Sequence, residues 1–340
     1  MDNMPSNTRI DIHNHVIPSR FVMQVEKAPA TFQARVEDTG DARKVVHDQG
    51  YVYPLFDEFY DPEAKLASMD RKGIDIAVIS PAPPMFYYWA DADLALTAAG
   101  LVNDGVADMV AAKPARLRGM ATLPMQHPDA AIAEMERVVR DYGFKAIEIG
   151  TSIEGEQLAE ARFRPILRRA QELGLFVFAH PYYVGAKAGL EDYYLTNLIG
   201  NPLDTAVMVA NLICSGALDE LPDLKICLAH GGGFLPYQIG RLVHGHKVRS
   251  ETHRHTGTSP LTLLRRFYFD SLVFEPRALR YLIDLVGADH ICLGTDAPFD
   301  MGDEAPADTL AQVPHLTEHE NHAVCCGAAL RLLNEGKSGF

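Results

Sequence analysis

A chain of 340 residues with 47% apolar and 22% charged side chains can build a full core, as two ordinary domains or as one large α/β barrel. A net charge of −14, with no basic cluster to reverse it locally, argues against nucleic acid or an anionic membrane as partner. The polar first eight residues lack a signal-peptide core, no uninterrupted apolar run approaches a membrane span, and the five cysteines have the spacing of neither a disulfide framework nor a four-cysteine zinc site; a reduced, cytoplasmic protein is expected.

The first periodic segment, Arg9 to Ile17, reads as a strand. Alternation puts Asp11, His13 and His15 on one face and Ile10, Ile12 and Val16 on the other. Two imidazoles about 7 Å apart along a strand can hold one metal ion, though His-x-His also arises where a strand gives way to a loop. Residues 18 to 60 are rich in aromatics and turn formers with few periodic runs, and read as an irregular insertion, either a lid or a small subdomain. Asp61-Pro-Glu-Ala64 then opens a helix, with an Asp cap and Pro at the first helical position.

From there strand-like runs at 74–81, 117–125, 145–150, 175–180, 225–230, 267–271 and 290–295 alternate with helical periodicity. The helical segments are 91–112, 128–142, 161–173, 201–216 and 276–286. With the opening strand this predicts a (β/α)8 TIM barrel spanning residues 1–340 as one domain. The rival, a doubly wound open sheet, needs a Gly-rich phosphate loop after an early strand, and the sequence has none.

A barrel places its chemistry at the carboxyl ends of its strands. Those ends carry His13 and His15 on the first strand, His180 on the fifth, His230 on the sixth and Asp296 after the eighth. Each alone has a packing or capping explanation; together they predict a metal site. Met85-Phe-Tyr-Tyr-Trp89, after the second strand, offers Phe86 and Trp89 either as walls of a ring pocket or as packing for the long insertion. Tyr182, Tyr183 and Tyr194, in and beyond the loop after His180, are candidate substrate contacts. The cluster His244, His246, His253 and His255 alternates with Lys and Arg and reads as a solvated surface.

Several of these segments carry a family resemblance. Asp11-Ile-His-Asn-His15, Phe178-Ala-His-Pro181, Ala229-His-Gly-Gly-Gly233 with Pro236-Tyr-Gln-Ile-Gly-Arg241, and Gly294-Thr-Asp-Ala-Pro-Phe299 resemble the metal-dependent amidohydrolase superfamily. Within it they are most similar to the branch of 2-amino-3-carboxymuconate-6-semialdehyde decarboxylase and related decarboxylases. The resemblance implies His13, His15, His180 and Asp296 as metal ligands and His230 as an unliganded catalytic histidine. It implies one Zn2+ per subunit, another divalent metal being an alternative, and a homodimer. Dinuclear relatives use a carboxylated lysine at the end of the fourth strand; here Glu148-Ile-Gly-Thr151 stands there, with Lys145 at the opposite end, so one metal is expected.

Zinc would bring a bound water to a pKa of about 7, with His230 taking or shuttling the proton. In a decarboxylase that proton goes to the substrate carbon; in a hydrolase the hydroxide attacks a carbonyl or imine carbon. The expected activity is a zinc-dependent carboxy-lyase acting on a small aromatic or unsaturated carboxylic acid, the alternative a hydrolase of an amide, lactone or ring-cleavage product. By the same resemblance Arg241 holds the substrate carboxylate, in some members across a dimer interface. The second arginine of the carboxymuconate enzyme has no counterpart, because no Lys or Arg lies between Lys44 and Lys65. That favours an aromatic acid with a single carboxylate.

Overall fold

Eight parallel strands form the centre of the structure: β1 (Ile10–Val16), β2 (Ile76–Pro81), β3 (Leu117–Ala121), β4 (Ala146–Gly150), β5 (Phe176–His180), β6 (Lys225–Leu228), β7 (Tyr268–Asp270) and β8 (Ile291–Cys292). This computed structural model describes residues 7–335 apart from Asp41, Tyr183, Ala186 and Lys187. The strands hydrogen-bond in chain order, and the two edges meet: Ile12 N donates to Leu293 O (3.0 Å) and His15 N to Ala297 O (2.7 Å). The sheet is thereby a barrel ringed by helices, a (β/α)8 fold. Every residue of β1, β2, β4 and β5 is buried, the pattern of parallel strands covered on both faces. Strands β3 and β8 end earlier than their apolar runs. After Ala121 the chain turns onto a side chain instead of a strand, Thr122 N donating to Asn103 Oδ1 (2.8 Å).

The simple alternation predicted for β1 does not hold. Its register against β2 shifts between Asp11 and Asn14, a bulge that places an extra residue on β1. Ile10 and Ile12 therefore share the barrel interior with Phe176 and Phe178, and beyond the bulge His13 and His15 enter the same space. Asp11 turns away to the closing seam, where its carboxylate accepts from His13 N (3.0 Å), Asn14 Nδ2 (2.8 Å), Thr295 N (3.0 Å) and Thr295 Oγ1 (2.6 Å).

The helices follow their local signals. Asp61 caps Pro62–Lys72 by accepting from Glu63 N, and Asp91 caps Ala92–Ala112 by accepting from Leu94 N. By length and composition Ala92–Ala112 could cross a membrane, but one face is buried on the barrel, and its central Asn103 donates to Thr122 O (2.9 Å) and Glu134 Oε1 (2.6 Å). The insertion after β1 has more order than its composition announced. Helix Ser19–Lys27 leads into a three-stranded antiparallel sheet of Ala34–Asp38, Arg43–His47 and Val52–Pro54. Phe21, Phe32, Tyr53 and Phe59 bury a second core there against Met85 and Tyr87. Short strands of mixed polarity carry little periodic signal, so only the packing reveals them.

Candidate metal centre

The strand ends deliver their imidazoles into one buried space. Ring centroids of His13, His15 and His180 lie 4.9–5.0 Å apart, and His230 sits 5.0 Å from His180. Asp296 closes the group: its Oδ1 is 3.3 Å from His13 Nε2 and 3.1 Å from His15 Nε2, and its Oδ2 is 3.6 Å from His230 Nε2. His230 and Asp296 both hold left-handed backbone, φ 54° and 58°, sparsely populated by non-glycine residues and typical of functional sites.

The electrostatics express the crowding. Burial opposes a charge on His13, yet Asp296 and Asp270 outweigh it and push His13 up to about 10. Burial pushes His15 down to about 4 and His180 well below the usual histidine range. Burial would raise Asp296, but the charge on His13 and the facing imidazoles hold it well below the usual carboxylate range.

The donor set fits a metal ion. His13 Nε2, His15 Nε2, both ring nitrogens of His180 and Asp296 Oδ1 are buried without a hydrogen-bond partner. Atoms stranded in this way cost about 1–3 kcal/mol each, and one cation would relieve several of them. Ligand atoms of His13, His180, His230 and Asp296 lie within 4.8 Å of one another, as do those of His15, Glu148 and His180. Imidazole nitrogens with a carboxylate oxygen suit zinc and its first-row neighbours.

Beside the cluster opens a cavity of about 310 Å³, with His180, His230 and Asp296 in its wall. The insertion contributes Tyr53 and Phe56, the turn after β2 contributes Pro83 and Pro84, and the loops after β5 and β8 contribute Tyr182, Tyr194, Asn197, Asn201 and Phe299. Among the described lining residues there is no Lys or Arg.

Not every predicted contact reaches this cavity. Tyr194 does, 57% exposed; Tyr183 lies outside the described residues. Phe86 is buried and stacks on Tyr88 at 5.2 Å, and Trp89 packs on Tyr87 at 4.7 Å; neither lines the cavity, because Pro83 and Pro84 turn the chain before them. Arg241 is exposed on helix Leu235–Val248 and is absent from the cavity wall of its own chain. His246 and His253 are bonded to the carbonyls of Thr256 and His246.

Three residues at the centre escaped the sequence reading. Asp270, at the end of β7, has Oδ2 2.7 Å from His13 Nδ1. Glu148 on β4 has Oε1 3.8 Å from His15 Nδ1, and burial raises it well above the usual carboxylate range. Lys65, buried on the helix capped by Asp61, donates to Asn14 Oδ1 (2.7 Å) and His15 O (2.9 Å). The strand-end rule, applied also to β4 and β7, is the signal that could have found Glu148 and Asp270; nothing in the local sequence marked Lys65.

The amidohydrolase family profile matches residues 10–334. The chain belongs to this family. It is 32% identical over 327 residues to 2-amino-3-carboxymuconate-6-semialdehyde decarboxylase of Dictyostelium discoideum, covering 96% of this chain and 91% of that protein. Among solved structures it resembles 5-carboxyvanillate decarboxylase of Sphingomonas paucimobilis, with a TM-score of 0.82, 25% identity, and coverage of 96% of this chain and 99% of the other. A dihydroxybenzoic acid decarboxylase from Polaromonas, solved with manganese and 2-nitroresorcinol, shares the fold at a TM-score of 0.78, with 24% identity and 98% of each chain covered. These relatives are decarboxylases, and this family member falls with them as a metal-dependent carboxy-lyase.

Proposed function

We propose that this family member removes carbon dioxide from a small aromatic acid bearing one carboxylate, with a zinc ion held by His13, His15, His180 and Asp296. The observation that carries the reading is the set of buried, partnerless imidazole nitrogens and carboxylate oxygen beside the cavity. A divalent ion there supplies a Lewis acid and a positive charge against substrate oxygens. The ligand chemistry favours zinc; the manganese of the dihydroxybenzoate enzyme makes that metal the competitor to test.

The residues divide the remaining work. Pro83, Pro84 and Phe299 supply flat apolar walls for a ring, and Asn197 and Asn201 supply neutral donors for its substituents. With no cationic lining residue among those described, a second carboxylate would be desolvated without a partner, which disfavours a dicarboxylate. His230, in the cavity wall, is the proton carrier. It delivers a proton to the ring carbon that bears the carboxylate. The carbon–carbon bond then breaks, its electron pair restores the ring, and carbon dioxide leaves.

The reading extends to a cytoplasmic homodimer. Five free thiols suit a reducing compartment. Phe234, Tyr237, Arg241 and Val248 form an exposed, largely apolar stripe on and beside one helix, a surface that a second copy would cover.

The test is carbon dioxide release from hydroxybenzoates, 5-carboxyvanillate and carboxymuconate semialdehyde, using zinc-loaded, manganese-loaded and chelated protein alongside His230→Ala. Release from a monocarboxylate that needs both metal and His230 supports the proposal. Turnover confined to the two dicarboxylates, 5-carboxyvanillate and the semialdehyde, or a hydrated product without carbon dioxide, refutes it.

A further inference from the structure

We propose that Asp270 is a positioning residue for this centre, one carboxylate that sets the tautomer of His13 and pins the turn carrying His230. The inference rests on the metal and proton-transfer roles proposed above. Asp270 ends β7 and is fully buried. Its Oδ2 lies 2.7 Å from His13 Nδ1 and accepts the backbone N–H of His230 (2.9 Å). Its Oδ1 accepts the N–H of Gly231 (2.7 Å) and that of Leu272 (3.2 Å).

Both arms follow from the chemistry of a carboxylate, which only accepts hydrogen bonds when ionised. The short contact therefore keeps a proton of His13 on Nδ1, so that Nε2, which faces Asp296 and His180, is the nitrogen left to give its lone pair to a bound cation. A carboxylate behind a ligating imidazole fixes its ring and raises its basicity. On the other arm, His230 and Gly231 sit at φ 54° and 59°, a conformation that persists in a non-glycine residue only when neighbours enforce it. Their N–H groups converge on the carboxylate, and no other hydrogen bond to His230 N or Gly231 N is found among the described residues. A single side chain thus sets a metal ligand on β1 and the catalytic turn after β6 in one frame, across 257 positions of sequence.

Asp270→Asn separates this role from bulk packing. The amide has nearly the same shape but one accepting end, so either orientation turns an NH2 group toward two N–H donors. The first readout is zinc affinity, by competition with a chromophoric chelator, which requires no turnover. Affinity lower by 10–100-fold is expected. Leu167→Ala, a core truncation on helix Arg164–Glu172, serves as the control, since it lowers stability yet should leave affinity unchanged. The second readout is imidazole nitrogen NMR of the zinc-loaded wild type, where His13 should carry its proton on Nδ1 in a strong hydrogen bond.

Zinc affinity within threefold of wild type in folded Asp270→Asn overturns the assignment, as does a proton on Nε2 of His13. If that variant does not fold, the wild-type spectrum decides alone. A wild type that binds no zinc would instead refute the metal reading, so the two failures are distinguishable.

Discussion

Gly233→Ala tests whether the turn after β6 is held where the chemistry requires it. Gly233 follows the short helical turn His230–Gly232, with φ 65° and ψ −136°, a region essentially reserved for glycine. A Cβ added there would stand 2.1 Å from the carbonyl oxygen of Pro202 and 2.9 Å from its carbon, both backbone atoms of helix Asn201–Cys214. Neither can rotate away. The strained dihedrals cost about 1–3 kcal/mol, and separating two packed backbones costs about as much again. A total near 4 kcal/mol corresponds to a melting temperature lower by about 5 °C for a chain of this length. The displacement falls between His230 on one side and Asn201, in the cavity wall, on the other. A misplacement of about 1 Å there lowers kcat by roughly 100-fold. Calorimetry and steady-state decarboxylation read the two effects. Gly240→Ala is the counterpart: Gly240 lies inside helix Leu235–Val248 with nothing within 4 Å of the added carbon, so it should stabilise by about 0.5–1 kcal/mol. If Gly233→Ala melts within 1 °C of wild type with kcat within about twofold, the reasoning is wrong.

Other outcomes follow from the same structure. His47 is buried with Nε2 2.8 Å from the Tyr53 hydroxyl, and burial pushes it down to about 4. An unfolded histidine takes up a proton near 6.5, so the unfolded state binds more protons as pH falls from about 6.5 toward 4, and stability drops by up to about 3 kcal/mol. In urea titrations His47→Gln should lose that part of the acid slope, and an unchanged slope would reject the assignment. Lys65→Met should destabilise by about 2–4 kcal/mol, because Asn14 Oδ1 and His15 O lose their buried donor. Chemical denaturation at pH 8 measures this, and a neutral result would mean that both acceptors find other partners. Zinc at about 1,000 times its dissociation constant should raise stability by about 4 kcal/mol, an increment removed by chelator and absent in His180→Ala. An equal zinc shift in that variant would place the ion elsewhere.

Much of the architecture was legible in the sequence because it is written locally. Buried parallel strands are apolar runs, Asp61-Pro62 and Asp91 announce their helices, and a barrel sends polar strand ends to one mouth. His13, His15, His180, His230 and Asp296 could thus be assembled without coordinates, and the structure brings them together. Tertiary structure decided the rest. The bulge between Asp11 and Asn14 depends on how β1 seats against β2, and it reverses which face each earlier residue of β1 presents. Phe86 and Trp89 have the composition of a ring pocket, but the turn at Pro83–Phe86 places them in packing. Arg241 stands on a helix whose exposed face only another molecule could bring to a site. Asp270 and Lys65 owe their roles to partners 257 and about 50 positions away. Sequence periodicity reports which face a residue shares with its near neighbours; what a buried charge meets across the barrel is set by closure of the sheet, which no local pattern encodes.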